Sequence, residues 1–501
     1  MKRIVLVVSV IAAAALAQEF RWVWTDTIGR YVEWQGDQGS GNTVLLGPTT
    51  TVEQWQVVGL SSGGSASWTS LVDTIRAEVG CIGAGGNIYL AGRRHFWGSD
   101  DNAEIVALSS TGQERWRFLY DSPHSGDDDY FTCVADNQQG MVFAGGMVTA
   151  NSYPDVGLSS IDAANGGHID SVTLDWNGLF KLACGASGEV YGIGSSWNGT
   201  DGDWAILRWD GHSGVTDWTK TLHGGAGMND EPHGLAVGND GNVYVIGQVQ
   251  FVMDRNWFCV HQMSAANGGA NWDFTIGDSA PGAFGVDITV GDDNNIYALG
   301  EVENSSGGQD LVIAALTSGG AVRWIYYYRP GGNRWAWAKA IKVGNDGSIY
   351  AFGDCSNSSY NSDMLMVCLT SEGGLRWTYQ YDGGSDDYIH PDCGFYSSDG
   401  KLYAAGTTKE GSVTKSAAIS VNSLIGIQEG PVSSRPSAVT RTTLVRGVLR
   451  LDVAGTLFDS RGCKVADVSV GANDVSRLAP GAYILRTRET GSAGSRVVVV
   501  K

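Results

Sequence analysis

The stretch HGLAVGNDGNVYVIG, residues 233–247, decides the fold. Its first half alternates apolar and polar or small positions up to Asp240, as a half-buried strand does. Asp240-Gly241 is a strong short-range hairpin signal, because the tight turn between twisted strands needs residues that tolerate positive φ. Its second half, NVYVIG, is β-branched and aromatic and ends on Gly247. The same aromatic motif returns as GNIYLAG (86–92), GMVFAGG (140–146), GEVYGIG (188–194), NNIYALG (294–300), GSIYAFG (347–353) and GKLYAAG (400–406). Successive aromatic anchors, from Tyr89 to Tyr403, are 54, 48, 53, 53, 53 and 53 residues apart. A weaker copy, GNTVLLG (41–47), precedes them, and Trp68, Trp116, Trp218, Trp272, Trp324 and Trp377 run in phase, with a rung missing near Asp170. A period of about 50 residues with several short strands per unit means a β-propeller rather than a helical solenoid.

Each unit reads as four strands. After the hairpin and a variable loop, a third strand begins at or near an Asp, as in DLVIAAL (310–316) and DMLMVCL (363–369). A Gly turn leads to the Trp strand, as in AVRWIYYY (321–328). First strands start near 30, 76, 131, 179, 233, 284, 338 and 392, which predicts eight blades. The last unit has a third strand, SAAISV (416–421), but no fourth, and FRWVW (20–24) is a Trp strand with nothing before it. FRWVW is therefore expected to close the last blade and remove its open edge. Seven blades with an irregular N-terminal segment is the alternative.

Composition agrees with an all-β chain and excludes several classes. Of 501 residues 71 are Gly and only 10 Pro, without a Gly-x-y period, so tight turns are many and collagen is excluded. Lys and Arg total 33 against 53 Asp and Glu, a net charge of −20, which argues against nucleic-acid binding. Lys2 and Arg3, the apolar run Ile4–Ala15 and Ala15-Leu16-Ala17 read as a cleaved export signal over residues 1–17. No later stretch is apolar enough to span a bilayer. Eight Cys in an exported chain would suggest disulfides, but several recur at matched repeat positions, which predicts buried free thiols.

The repeats resemble the bacterial SBBP β-propeller family, on Asp and an apolar strand, Gly before Trp, a Gly-Gly turn with Asp, and Asp-x-x-Gly-Asn-x-Tyr-x-x-Gly. The unit from Asp363 to Gly406 carries the resemblance best. It implies the fold far more than any activity. After residue 421 the repeat stops, and residues 422–443 read as a Ser, Thr and Pro rich linker. Residues 444–501 read as a small β-sandwich-like domain. LFDSRG (457–462), NDVSRLAPGAY (473–483) and a final apolar strand resemble the C-terminal sorting domain of type IX secretion. That resemblance implies passage through the periplasm to the cell surface or medium, with the type IX machinery as partner, around a propeller spanning residues 18–421.

No Gly-x-Ser-x-Gly, His-Glu-x-x-His, phosphate loop or EF-hand spacing occurs. Candidate function therefore lies in the long loops, which an antiparallel blade gathers on one face. Asp128, Asp230 and Asp386 are read there as one repeated position, with Asp129 and Asp387 beside them, and His233 matching His390. Such carboxylates would ring the channel mouth and suit Ca²⁺ or a basic group, or would cap their loops as Asx turns. No other cofactor is expected. Trp97, Trp197, Trp335 and Trp337 fall outside the Trp ladder and would stack on a glycan or anchor a protein partner, or would pack between blades. The chain is expected to be a monomeric, non-catalytic binding protein. The alternative is an exported carbohydrate-active lyase or hydrolase, or a quinone-type oxidoreductase, working on the same face.

Overall fold

The computed structural model describes residues 20–422 apart from 27–31, 40, 50–53, 96–99, 123–127, 150–153, 226–227, 253–254, 277–281, 358, 398 and 411–412. It also describes the C-terminal strands named below. The expected leader (1–17), most of the expected linker and Trp97 lie outside the described residues.

The propeller has eight four-stranded antiparallel sheets. Blades 1 to 7 run Trp34–Asp73, Arg76–Tyr120, Tyr130–Leu174, Gly178–Leu222, Glu231–Ile276, Ala283–Tyr328 and Ala336–Tyr381, each with its strands in sequence order. Blade 8 takes three strands from Tyr388–Asn422 and its fourth, Phe20–Asp26, from the other end of the unit. First strands touch the first strands of both neighbours, and the ring closes between blades 8 and 1. They therefore line the central channel. The two middle strands of a blade are covered on both faces by neighbouring blades. In blade 7 every residue of Ile349–Ser356 and Ser362–Leu369 is buried, which explains the continuous apolar runs in place of alternation. The seven described cysteines are all free, five of them buried.

Three contacts recur from blade to blade and account for the sequence motif. The strand-two Tyr is buried and packs on the strand-four Trp of its own blade. Tyr297 and Trp324 have ring centroids 6.0 Å apart, Tyr350 and Trp377 6.2 Å. The Trp ring then lies over a glycine in the following blade's third turn and donates its Nε1 hydrogen to a carbonyl there. Trp116 donates to Ala163 O (3.1 Å), Trp218 to Ala265 O (2.9 Å), Trp272 to Ser318 O (2.9 Å) and Trp324 to Ser371 O (2.9 Å). A Cβ on Gly268, Gly320 or Gly373 would strike the indole, and all three have positive φ. Each such bond is worth about 1 kcal/mol net. The glycine closing the aromatic motif has a different reason. A Cβ on Gly92, Gly146, Gly194, Gly247, Gly300, Gly353 or Gly406 would run into a carbonyl oxygen of the blade's own first strand. That strand bulges inward at the same level in six blades, at Glu78, Thr132, Phe180, His233, Val286 and Lys339.

The missing rung and the closure have physical explanations too. Blade 3 carries Asp170 in place of Trp, and there Ser160 Oγ donates to Gly211 O of blade 4 at 2.5 Å. Trp377 Nε1 is buried without a partner, because blade 8 has no turn between its third and fourth strands to offer a carbonyl.

The C-terminal unit pairs five short strands in the order Thr442–Val445, Ser495–Val499, Gly481–Thr487, Gly455–Phe458, Lys464–Val468, and a separate pair Val448–Leu451 with Gly471–Asp474. Its first strand begins at Thr442, two residues ahead of the expected boundary.

Deleting residues 18–28 removes the outer strand of blade 8 and leaves a sheet edge open. A sharp drop in melting temperature by calorimetry is expected, and an unchanged melting curve would show that closure does not depend on this strand.

Candidate functional site

The loops between blades are held by a repeated carboxylate device. Asp129 Oδ2 accepts from Ser122 N (2.8 Å) and its Oδ1 from Thr149 N (3.0 Å). Asp230 does the same with Gly224 N (2.6 Å) and Gln250 N (2.7 Å). Asp387 Oδ2 accepts from Gly383 N at 2.5 Å. All three are almost wholly buried. The residue before each performs a second duty: Asp128, Asn229 and Asp386 accept from Asp101 N, Gly202 N and Ser362 N at the head of strand three. The register read from the sequence thus needs correcting by one residue. Asp129, Asp230 and Asp387 are equivalent, and Asp128 pairs with Asn229 and Asp386. Burial pushes the carboxyl of Asp230 up to about 6, against its two backbone donors. These groups cap loops, as Asx turns do, and form no open ring of carboxylates.

The channel is lined by other charges. Lys181 on blade 4 reaches Asp287 on blade 6 (3.2 Å) and Asp392 on blade 8 (2.8 Å), while Lys342 of blade 7 pairs with Asp287 at 3.4 Å. Blades 4 and 8 are opposite in a ring of eight, so this network spans the channel. Burial alone would raise the Asp287 carboxyl, but Lys181 and Lys342 outweigh it and hold it below the usual range. Nearer the loop face, Glu301 accepts from Ala338 N (2.7 Å) and Asp354 from Ile389 N (2.6 Å), each on the first strand of the next blade. Lys339 lies 3.8 Å from Asp354. Burial pushes both carboxyls up to about 7. His233, one of the expected residues, donates from Nδ1 to Gly285 O (2.7 Å) with Glu231 3.6 Å from its Nε2. His390 lies 3.2 Å from Thr407 Oγ1. Two acids near neutrality beside Lys and His resemble a catalytic set. Their identical bonds to adjacent inner strands mark them instead as a repeated structural bracket.

The aromatic residues divide in the same way. Trp337 is a half-buried strand residue of blade 7, and Trp335 just before it is 41% exposed. Their rings stack at 6.0 Å and 20°. Trp335 is pinned by its backbone, with N donating to Ser356 Oγ (2.7 Å) and O accepting from Ser356 N (2.8 Å). On the other side the preceding carbonyl, Arg334 O, accepts from Gln309 N of blade 6 at 3.1 Å. Trp197, at the end of a blade 4 strand, is 55% exposed.

One residue of this face was missed in the sequence. Tyr360 is 64% exposed, has φ 63°, and its hydroxyl pairs with Asn333 Oδ1 at 2.9 Å. It occupies the turn position that Gly307 holds in blade 6, since Tyr360 N donates to Asn357 O as Gly307 N does to Asn304 O. The local sequences are NSSYNS and NSSGGQ. Placing an aromatic in the left-handed region costs about 1 kcal/mol or more, so the contrast between repeats was the signal. Trp335, Trp337 and Tyr360 together form an aromatic shelf on the loop face where blade 6 meets blade 7.

No family model matches the chain, and no curated protein matches it. Sqt1 from Chaetomium thermophilum is similar in fold at 10% identity and a TM-score of 0.50, over 80% of this chain and 98% of that one. A quinohemoprotein alcohol dehydrogenase from Comamonas testosteroni aligns at 10% identity and 0.46, over 86% and 80%. The polysaccharide lyase Uly1 aligns at 11% and 0.41, over 67% and 88%. Likeness at this level shows the propeller fold alone, on which functions are mixed. Among the described residues no helix is long and apolar enough to cross a membrane.

The raised carboxyls give a pH test. Between the ordinary carboxylate range and about pH 7 the folded protein keeps protons on Glu301 and Asp354 that the unfolded chain releases. Their contribution to stability therefore falls as pH rises through that window. Asp354→Asn is expected to raise stability at pH 8 by on the order of 1 kcal/mol, with the gain shrinking as pH falls below 7. A gain that is independent of pH would place its origin elsewhere.

Proposed function

We propose that this is an exported, non-catalytic binding propeller that engages a glycan on its loop face, at the Trp335, Trp337 and Tyr360 shelf. The observation that carries the reading is the exposed Tyr360 held in a glycine's conformation and tied to Asn333. Strain kept at an exposed aromatic, beside a Trp clamped by both blades, suits a preorganised surface. Flat aromatic faces with the Asn333 side-chain amide beside them match the apolar face and hydroxyl edges of a sugar ring. Asp129, Asp230, Glu301 and Asp354, candidates for hydrolysis or lyase chemistry, are instead engaged with backbone donors. A glycan array against the mature protein identifies the ligand. Trp335→Ala is then expected to weaken binding by about 2 kcal/mol, roughly thirtyfold, with the melting temperature unchanged. Val215→Ser, on the opposite face, is expected to leave binding intact. Retention of full affinity in Trp335→Ala would move the site away from the shelf.

Export rests on the N-terminal leader pattern and on the C-terminal motifs that resemble type IX sorting domains. The β-sheet of the C-terminal unit is compatible with such a domain, and the propeller needs none of it to close. Truncation at Ser434 is expected to leave a folded propeller retained in the periplasm. Normal appearance of the truncated chain in the medium would exclude the sorting role.

A further inference from the structure

Blade 7 departs from blades 1, 4 and 6 at one pair of facing positions. At the start of strand three one residue stands opposite a residue at the end of strand four, and in blades 1, 4 and 6 the two are complementary. In blade 1 Gln54 Nε2 donates to Asp73 Oδ1 at 2.7 Å. In blade 4 His223 Nδ1 is 2.7 Å from Asp203 Oδ2, and in blade 6 Arg329 Nε is 3.1 Å from Asp310 Oδ2. The registers Met364↔Tyr381, Leu311↔Tyr328 and Trp204↔Leu222 make Asp363 and Asp382 the corresponding pair in blade 7. There a carboxylate replaces the base.

A third carboxylate, Asp387, completes the group. One oxygen from each of Asp363, Asp382 and Asp387 lies within 4.8 Å of the others. Blade 4 has the same two buried acids, Asp203 and Asp230, but His223 answers them. In blade 3, where Asp155 faces Asp175, the residue matching Asp387 is Asn177. Part of the blade 7 set is committed: Asp363 Oδ1 accepts from Asn357 Nδ2 (2.9 Å), and Asp387 Oδ2 accepts from Gly383 N. Asp387 is 0% exposed, and its Oδ1 is buried with the Thr408 hydroxyl and the Lys409 amide near it, neither in full hydrogen-bond geometry. Three carboxylates with a buried, unsatisfied oxygen are unfavourable without a cation.

We propose that Asp363, Asp382 and Asp387 bind a Ca²⁺ ion, which takes the place that Arg329 and His223 fill in the sister blades. An all-oxygen set without His or Cys selects a hard cation over zinc or copper. The irregular arrangement on one loop and a strand suits calcium's flexible coordination better than the strict octahedron of magnesium. The site adjoins the aromatic shelf through Asn357, and its occupancy does not depend on any sugar being bound.

The test uses the full chain, calorimetry and calcium itself. With EGTA as reference, the melting temperature of the wild-type protein is expected to rise with the logarithm of Ca²⁺ concentration in the millimolar range. Asp382 is exposed, so its variants fold. Asp382→Asn should lose most of the shift. Asp382→Arg, which installs the blade 6 arrangement, should melt above wild type in EGTA and respond to calcium no further. Isothermal titration should show one saturable site in wild type and none in Asp382→Arg. A wild-type protein blind to calcium, an Asp382→Arg variant that still responds, or an equal response to Mg²⁺ would each overturn the assignment.

Discussion

The structure depends on one recurring contact: in blades 2, 4, 5 and 6 a Trp ring is laid over a glycine of the next blade, with its Nε1 hydrogen on a carbonyl of the same turn. The same ring packs on the buried Tyr of its own blade. A single side chain therefore joins the interior of one sheet to the turn of its neighbour. Because the contact is directional, it needs a turn of the next blade to answer it; blade 3, with Asp170, substitutes a Ser160 bond, and at blade 7 it fails. Trp377 has no turn to meet, and blade 8 borrows its outer strand from Phe20–Asp26. Closure is thus left to strand pairing.

Against so regular a frame, departures carry the functional information. Most charged residues of the loop face belong to the frame. Asp129, Asp230 and Asp387 hold loops, Glu301 and Asp354 bracket inner strands, and Lys181 with Asp287 spans the channel. Three positions do not fit a repeated duty. Tyr360 takes a glycine's place, Asp382 takes a base's place, and Trp335 projects from a backbone clamped on both sides. All three sit on the loop side of blade 7 or at its junction with blade 6. A scaffold that repeats its structural solutions eight times makes a local exception costly, and a retained cost points to binding.

The sequence by itself determined the propeller. A period of about 50 residues, a hairpin signal in each unit and a Trp strand in phase are local patterns, and local patterns survive without knowledge of distant contacts. The spare strand FRWVW was legible because a period must balance at both ends. The loop-face Trp residues were also visible, since a ladder exposes whatever stands outside it. What the tertiary structure alone decided is which residues meet. Whether Asp128 or Asp129 matches Asp230 depends on a loop length, and only the bonds to Thr149 N and Gln250 N fix it. Lys181 and Asp392 are 211 residues apart and join because blades 4 and 8 face each other. Asp363 and Asp382 become a pair only through strand register, and Asp387 joins them through a loop return. Sequence spacing records the fold of one blade, whereas charge complementarity between strands, loops and opposite sides of a ring exists only once the ring has closed.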